Sequence, residues 1–205
     1  MSPESAAELA AQKRALRERM RARLALSDPT TGEVAAAAAA AHLTAMHEYA
    51  GARWVALYAP LAGELGTHPL FTALRDRGRT VLFPKPNPGS GLLEFLPAAR
   101  WEDLTPGRYG VPEPPAGAPV PLRAGDLVVV PGLAFDAAGH RLGRGGGWFD
   151  RTFSRTGQCS PLLVGYAYEG QIVDLVPSGS TDRGVDWIVT ERAARRASAA
   201  EPMTS

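Results

Sequence analysis

The stretch DLVVVPG at residues 126–132 limits the fold of this 205-residue chain more than any other. Side chains of an extended strand alternate between two faces, so an unbroken apolar run needs cover on both of them. The run is closed by Pro131 and Gly132. It therefore reads as a parallel strand inside a sheet with helices around it. RWVALYAP (53–60), TVLFP (80–84), PLLVGYAY (161–168) and DWIVTE (186–191) read as further strands. Between them, PLFTALRDR (69–77), stopped by Gly78, and WFDRTFSRTG (148–157) read as helices. Strands alternating with helices predict an α/β protein with a mainly parallel or mixed sheet.

Residues 5–26 contain neither Gly nor Pro. Leu9, Leu16, Met20 and Leu24 fall near one side of a helix there, with Lys13, Arg14, Arg17, Arg19, Arg21 and Arg23 around the rest. SDPTTGEV breaks that helix, and the alanines at 35–41 favour a second one. The length suits one domain, taken as residues 1–192. The stretch 193–205 has almost no large apolar residue and is expected to fray or be disordered.

A formal charge of +1 provides no global field for nucleic acid or an anionic membrane, so any anion site must be built locally. The arginine-rich first helix lacks the interleaved aromatics of a nucleic-acid binder. One cysteine, Cys159, excludes an internal disulfide or thiolate metal cluster, which fits a reducing cytoplasm. No stretch approaches the ~20 apolar residues of a membrane span, and Glu4, Glu8 and Glu18 argue against a transit peptide. The expectation is a cytoplasmic protein with no nucleic-acid or membrane partner.

Chemistry concentrates in HRLGRGGGWFDR at 140–151. Gly143, Gly145, Gly146 and Gly147 leave backbone N–H groups unobstructed, and Arg141 and Arg144 add donors suited to phosphate or carboxylate oxygens. The loop matches neither a Walker sequence nor a dinucleotide fingerprint. A flexible surface turn is the plainer reading of three adjacent glycines. Asp150 suits either the first turn of a helix or a hard cation, and Asp186, at the start of a later strand, could complete a carboxylate pair for Mg²⁺. Spacing gives no two-histidine metal site and no nucleophile–base set.

VVVPGLAFDAAGHRLGRGGGWFDR resembles the signature of the 5-formyltetrahydrofolate cyclo-ligase family. KRALR (13–17), GELGT (63–67), YGVPEP (109–114) and IVDLVPSGSTDRGVDWIVTE resemble its other conserved blocks. The resemblance implies a three-layer α/β/α fold and ATP- and Mg²⁺-dependent closure of 5-formyltetrahydrofolate to 5,10-methenyltetrahydrofolate through a phosphorylated formyl group. It assigns Lys13, Arg14 and Arg17, together with Arg141, Leu142, Gly143, Arg144, Gly145, Gly146, Gly147, Trp148 and Phe149, to ATP. Arg144 would stand nearest the transferred phosphoryl, Glu64 and Tyr109 at the folate, and Asp150 and Asp186 at Mg²⁺. Gly146 stands where several relatives carry Lys, a charge Lys85 could replace, and Trp148-Phe149 stand where Tyr-Tyr is usual. A monomer is expected. The competing reading is a non-catalytic folate- or nucleotide-binding module of the same fold.

Overall fold

The computed structural model describes residues 3–25, 29–107, 109–154 and 160–198. In chain order its elements are α1 (Pro3–Leu24), α2 (Pro29–Thr44), α3 (His47–Gly51), β1 (Val55–Ala56), α4 (His68–Asp76), β2 (Val81–Asn87) and β3 (Leu92–Ala98). They continue with β4 (Thr105–Pro106), β5 (Pro112–Glu113), β6 (Leu127–Val130), β7 (Ala134–Phe135), β8 (Arg141–Leu142), α5 (Trp148–Phe153), β9 (Leu162–Tyr166), β10 (Trp187–Val189) and β11 (Ala194–Arg196).

Seven strands form one sheet in the order β11-β10-β9-β6-β1-β2-β3. The five inner strands run parallel, and β3 and β11 close the two edges antiparallel. The apolar run at 127–130 is the inner strand β6, every residue of it buried. Leu127 and Val129 join the core under α2 and α4, while Val128 and Val130 face Phe135 and Phe153 on the other side. This is the two-sided cover that the run demands.

Each layer follows from local sequence. On the α2 side, Ala36, Ala39 and Ala40 let the helix approach closely, and Leu70, Phe71 and Leu74 of α4 fill the space beside it. Pro69 starts α4, and Gly78, at φ 70°, lets the chain leave it. On the opposite side Phe153 of α5 lies against Phe95, with ring centroids 5.9 Å apart. Thr152 accepts the Leu93 N–H at 2.9 Å, which ties α5 to β3. Leu16, Met20 and Leu24 of α1 bury themselves on Leu133, Ala134 and Leu142 around the β7–β8 ribbon. Burying a side chain such as Met20 is worth about 1.5–3 kcal/mol. That seam holds the basic side of α1 beside the loop that follows β8. No helix among the described residues is long and apolar enough to cross a membrane.

The structure adds a strand and corrects one expectation from sequence. LLEFLP lies in β3, whose register with β2 runs from Val81 opposite Ala98 to Asn87 opposite Leu92. The ordered chain also does not end at 192. Ala194–Arg196 forms β11, because backbone pairing with β10 and a bidentate Arg195–Glu169 contact replace the large apolar residues it lacks. Residues 199–205 lie outside the described residues.

Candidate active site

Strand order fixes where a ligand can enter. From β1 the chain moves to β2 on one side, whereas β6 lies on its other side and leads to β9. Connections leave this point in opposite directions, so a crevice opens beyond the carboxyl ends of β1 and β6. A cleft of about 740 Å³ lies there, with Tyr58 and Ala59 following β1 and Pro131 and Gly132 following β6. Gly132 leaves room at its floor, since a Cβ there would stand 2.6 Å from the Phe135 ring.

The glycine-rich loop forms one wall. Gly145 and Gly147 have φ of 111° and 66°, conformations that side-chain-bearing residues rarely adopt. Loop carbonyls are held by guanidinium groups: Arg17 Nε donates to Gly143 O at 3.0 Å and Arg151 Nη1 to Gly146 O at 2.9 Å. Arg21 Nη2 reaches Arg144 O at 3.4 Å. The loop is thus a braced segment, not the loose turn its composition allows.

Charge in the cleft is arranged in pairs. Arg141, its side chain 5% exposed, donates to Asp150 Oδ1 at 2.8 Å and lies 5.5 Å from the Phe149 ring. Arg144 Nε donates to Glu64 Oε1 at 2.7 Å, and its Nη2 to Ala62 O at 3.0 Å. Lys13 pairs with Asp182, whose Oδ2 also accepts the Gly179 N–H at 2.6 Å. Lining side chains comprise five cations (Lys13, Arg17, Arg141, Arg144, Arg151) against three carboxylates (Glu64, Asp150, Asp182), which favours an anionic ligand. Tyr58 donates from its buried hydroxyl to Leu65 O at 2.6 Å. Burial, and then the nearby Glu64 carboxylate, push that phenol well above its ordinary range, so it remains a donor. Tyr109 stands at the rim, its ring 6.0 Å from that of Trp148.

Most of the residues singled out in the sequence meet in this cleft: Lys13, Arg17, Glu64, Tyr109 and the whole of 141–150 line it. Lys13 and Arg17 share a helical face, as their spacing predicts. Arg14 does not join them and is exposed outside the lining. Nor does Asp186, whose Oδ2 accepts the Leu163 N–H at 2.8 Å where β9 and β10 begin. Arg183 is its link to Asp150, giving a backbone N–H to Asp150 Oδ1 at 3.3 Å and lying 3.7 Å from Asp186 Oδ1 through its guanidinium. Lys85 is also outside the lining, since strand alternation directs Pro84 and Pro86 to the cleft instead. Cys159 lies outside the described residues.

Sequence reasoning missed Tyr58, Asp182 and Arg151. Tyr58 reads as one more core aromatic, Asp182 is 169 residues from Lys13, and Arg151 acts on carbonyls, which carry no sequence signature. Among the described residues, no three His, Cys, Asp or Glu side chains group as metal ligands. A cation that takes one carboxylate and fills its remaining positions with phosphate and water fits Asp150, whose two carboxylate hydrogen bonds among the described residues both fall on Oδ1.

A family model described as the 5-formyltetrahydrofolate cyclo-ligase family matches residues 9–191. The 5-formyltetrahydrofolate cyclo-ligase of Escherichia coli is 35% identical over 142 residues, covering 68% of this chain and 78% of its own. Its Haemophilus influenzae counterpart is 31% identical over 147 residues, covering 69% and 77%. The NMR structure of Aquifex aeolicus 5,10-methenyltetrahydrofolate synthetase superposes with a TM-score of 0.75 at 30% identity, over 94% of this chain and 95% of that one.

Proposed function

The chain belongs to the 5-formyltetrahydrofolate cyclo-ligase family, and on that premise we propose that it closes 5-formyltetrahydrofolate to 5,10-methenyltetrahydrofolate at the expense of ATP, releasing ADP and phosphate. The observation that carries the ATP half of this reading is the cationic, glycine-walled cleft at the β1/β6 switch point.

A formamide oxygen leaves poorly, so ring closure needs it converted into a better leaving group. Transfer of the γ-phosphoryl to that oxygen forms an O–P bond and breaks the bond to ADP. The neighbouring folate nitrogen then attacks the formyl carbon and gives up its proton, and the C–O bond breaks as phosphate departs with that proton. Such a reaction asks the protein for alignment and charge neutralisation, not for a nucleophile.

The side chains divide accordingly. Lys13, Arg17 and Arg141 hold the polyphosphate with the amides of 143–147, and Arg144 meets the transferred phosphoryl. Glu64 accepts from the amino-pyrimidinone edge of the pterin, and Tyr109 stacks beside it. Glu64 and Arg144 touch, so the boundary between folate and nucleotide lies between them. Asp150 would hold Mg²⁺, which supplies further positive charge at the phosphate oxygens. Tyr58 keeps its proton and orders the loop that carries Glu64 through Leu65 O.

The test mixes the protein with 5-formyltetrahydrofolate, ATP and Mg²⁺ and follows the methenyl absorbance band. ATP-dependent growth of the band supports ligation. Binding of both ligands without it supports the non-catalytic module instead.

A further inference from the structure

Arg151 joins the turn between β2 and β3 to two residues of the cleft wall. Its Nε donates to Gly91 O at 3.0 Å, in the turn between β2 and β3. Its Nη1 donates to Gly146 O at 2.9 Å, and its guanidinium lies 4.9 Å from the Trp148 ring centroid. The fit is close, because a Cβ on Gly147 would come within 2.7 Å of that same Nη1.

The planarity of the peptide turns this contact into an orientation. None of the described peptide bonds is cis, and in a trans peptide the C=O and the following N–H point in opposite directions. A guanidinium fixed on Gly146 O therefore turns the Gly147 N–H away from itself. Gly145 and Gly147, both at positive φ, have little steric resistance to other peptide orientations, so the loop needs outside restraint to hold one.

We infer that Arg151 is a positioning residue for the nucleotide: it locks the Gly146–Gly147 peptide so that the loop amides are presented to phosphate before ATP arrives. The role rests on the nucleotide reading of the loop. It acts through hydrogen-bond geometry, since both hydrogen bonds are to neutral carbonyls. Lysine keeps the charge but has one nitrogen and no plane, so it cannot reproduce two divergent bonds and the stack on Trp148.

Calorimetric titration of wild type, Arg151→Ala and Arg151→Lys with a non-hydrolysable ATP analogue plus Mg²⁺, and separately with 5-formyltetrahydrofolate, tests the role. Both variants are expected to bind nucleotide about tenfold more weakly, the scale of one hydrogen bond from a charged donor. Folate affinity should stay within about twofold, and added guanidinium ion should recover part of the Ala variant's loss. A Lys variant with wild-type nucleotide affinity would overturn the inference, as would equal losses for both ligands. If the Ala variant does not fold, the Lys variant decides by the same criteria. A wild-type protein that binds folate but not the nucleotide overturns the nucleotide reading itself.

Discussion

Arg144 Nε lies 2.7 Å from Glu64 Oε1, joining the glycine-rich loop to the turn after β1 across 80 residues of sequence. The pair is asymmetric: the Glu64 side chain is 6% exposed, and that of Arg144 is 37% exposed. Glu64 keeps a second anchor, because its Oε2 accepts the Leu61 N–H at 2.9 Å. Removing Arg144 should therefore disturb chemistry more than folding. Arg144→Ala is expected to lower kcat by about 10²–10³-fold, the usual effect of losing one preorganised transition-state donor. Its melting temperature should fall by no more than about 4 °C. Turnover near wild type would remove Arg144 from the phosphoryl site.

For Glu64→Gln the two substrates should respond in opposite directions. Folate binding weakens as the pterin loses its charged acceptor, while Arg144, released from its partner, binds nucleotide up to roughly threefold more tightly. Titration of each ligand separately reads both effects. Unchanged folate affinity would contradict the placement of Glu64.

Asp150→Asn retains an oxygen for Arg141 but loses the charge. The Mg²⁺ concentration needed for half-maximal activity should rise about tenfold or more, with some loss of stability because the nearly buried Arg141 side chain loses its counter-ion. An unaltered Mg²⁺ titration would take Asp150 out of the metal's ligand set.

Much of this site could be read in the sequence, and what could not has a common cause. DLVVVPG announces an inner strand because it has no polar face, and HRLGRGGGWFDR reads as a loop suited to anions because glycine and arginine carry that chemistry themselves. Pairings between distant segments leave no comparable mark. Asp182 reaches Lys13 only because α1 packs on the β7–β8 ribbon, and Asp186 misses the cleft because its carboxylate caps the start of β9. Arg195 sits in a stretch with the composition of a loose tail, yet it completes an edge strand through a partner on another element.

That edge contact has a defined pH dependence. Hydrogen bonding to Arg195, helped by Thr190 and opposed by partial burial, holds the Glu169 carboxyl below its ordinary value. A depressed folded-state pKa contributes stability that is complete above the unfolded value, about pH 4.3, and is lost as pH falls through the lower folded value. Arg195→Met should therefore cost ~0.2–1 kcal/mol at neutral pH, discounted for solvent screening, and nothing once Glu169 is protonated in both proteins. Urea denaturation at about pH 7 and about pH 2.5 checks this. A difference that persists in acid would point to lost packing instead.

Beneath the cleft, Gly165 in β9 leaves space for Phe135, and a Cβ there would stand 2.5 Å from Cε1 of that fully buried ring. Gly165→Ala should destabilise by ~1–3 kcal/mol, as overpacking does, lowering the melting temperature by up to about 10 °C. A thermal melt equal to wild type would show that the ring can move aside.

In the proposed reaction the formyl oxygen leaves as part of phosphate. Wild-type protein turned over on substrate labelled with ¹⁸O at the formyl group, with the released phosphate examined by mass spectrometry, tests it most directly. One labelled oxygen is expected in each phosphate formed with the methenyl product. Unlabelled phosphate, with the ¹⁸O recovered in water, would contradict it.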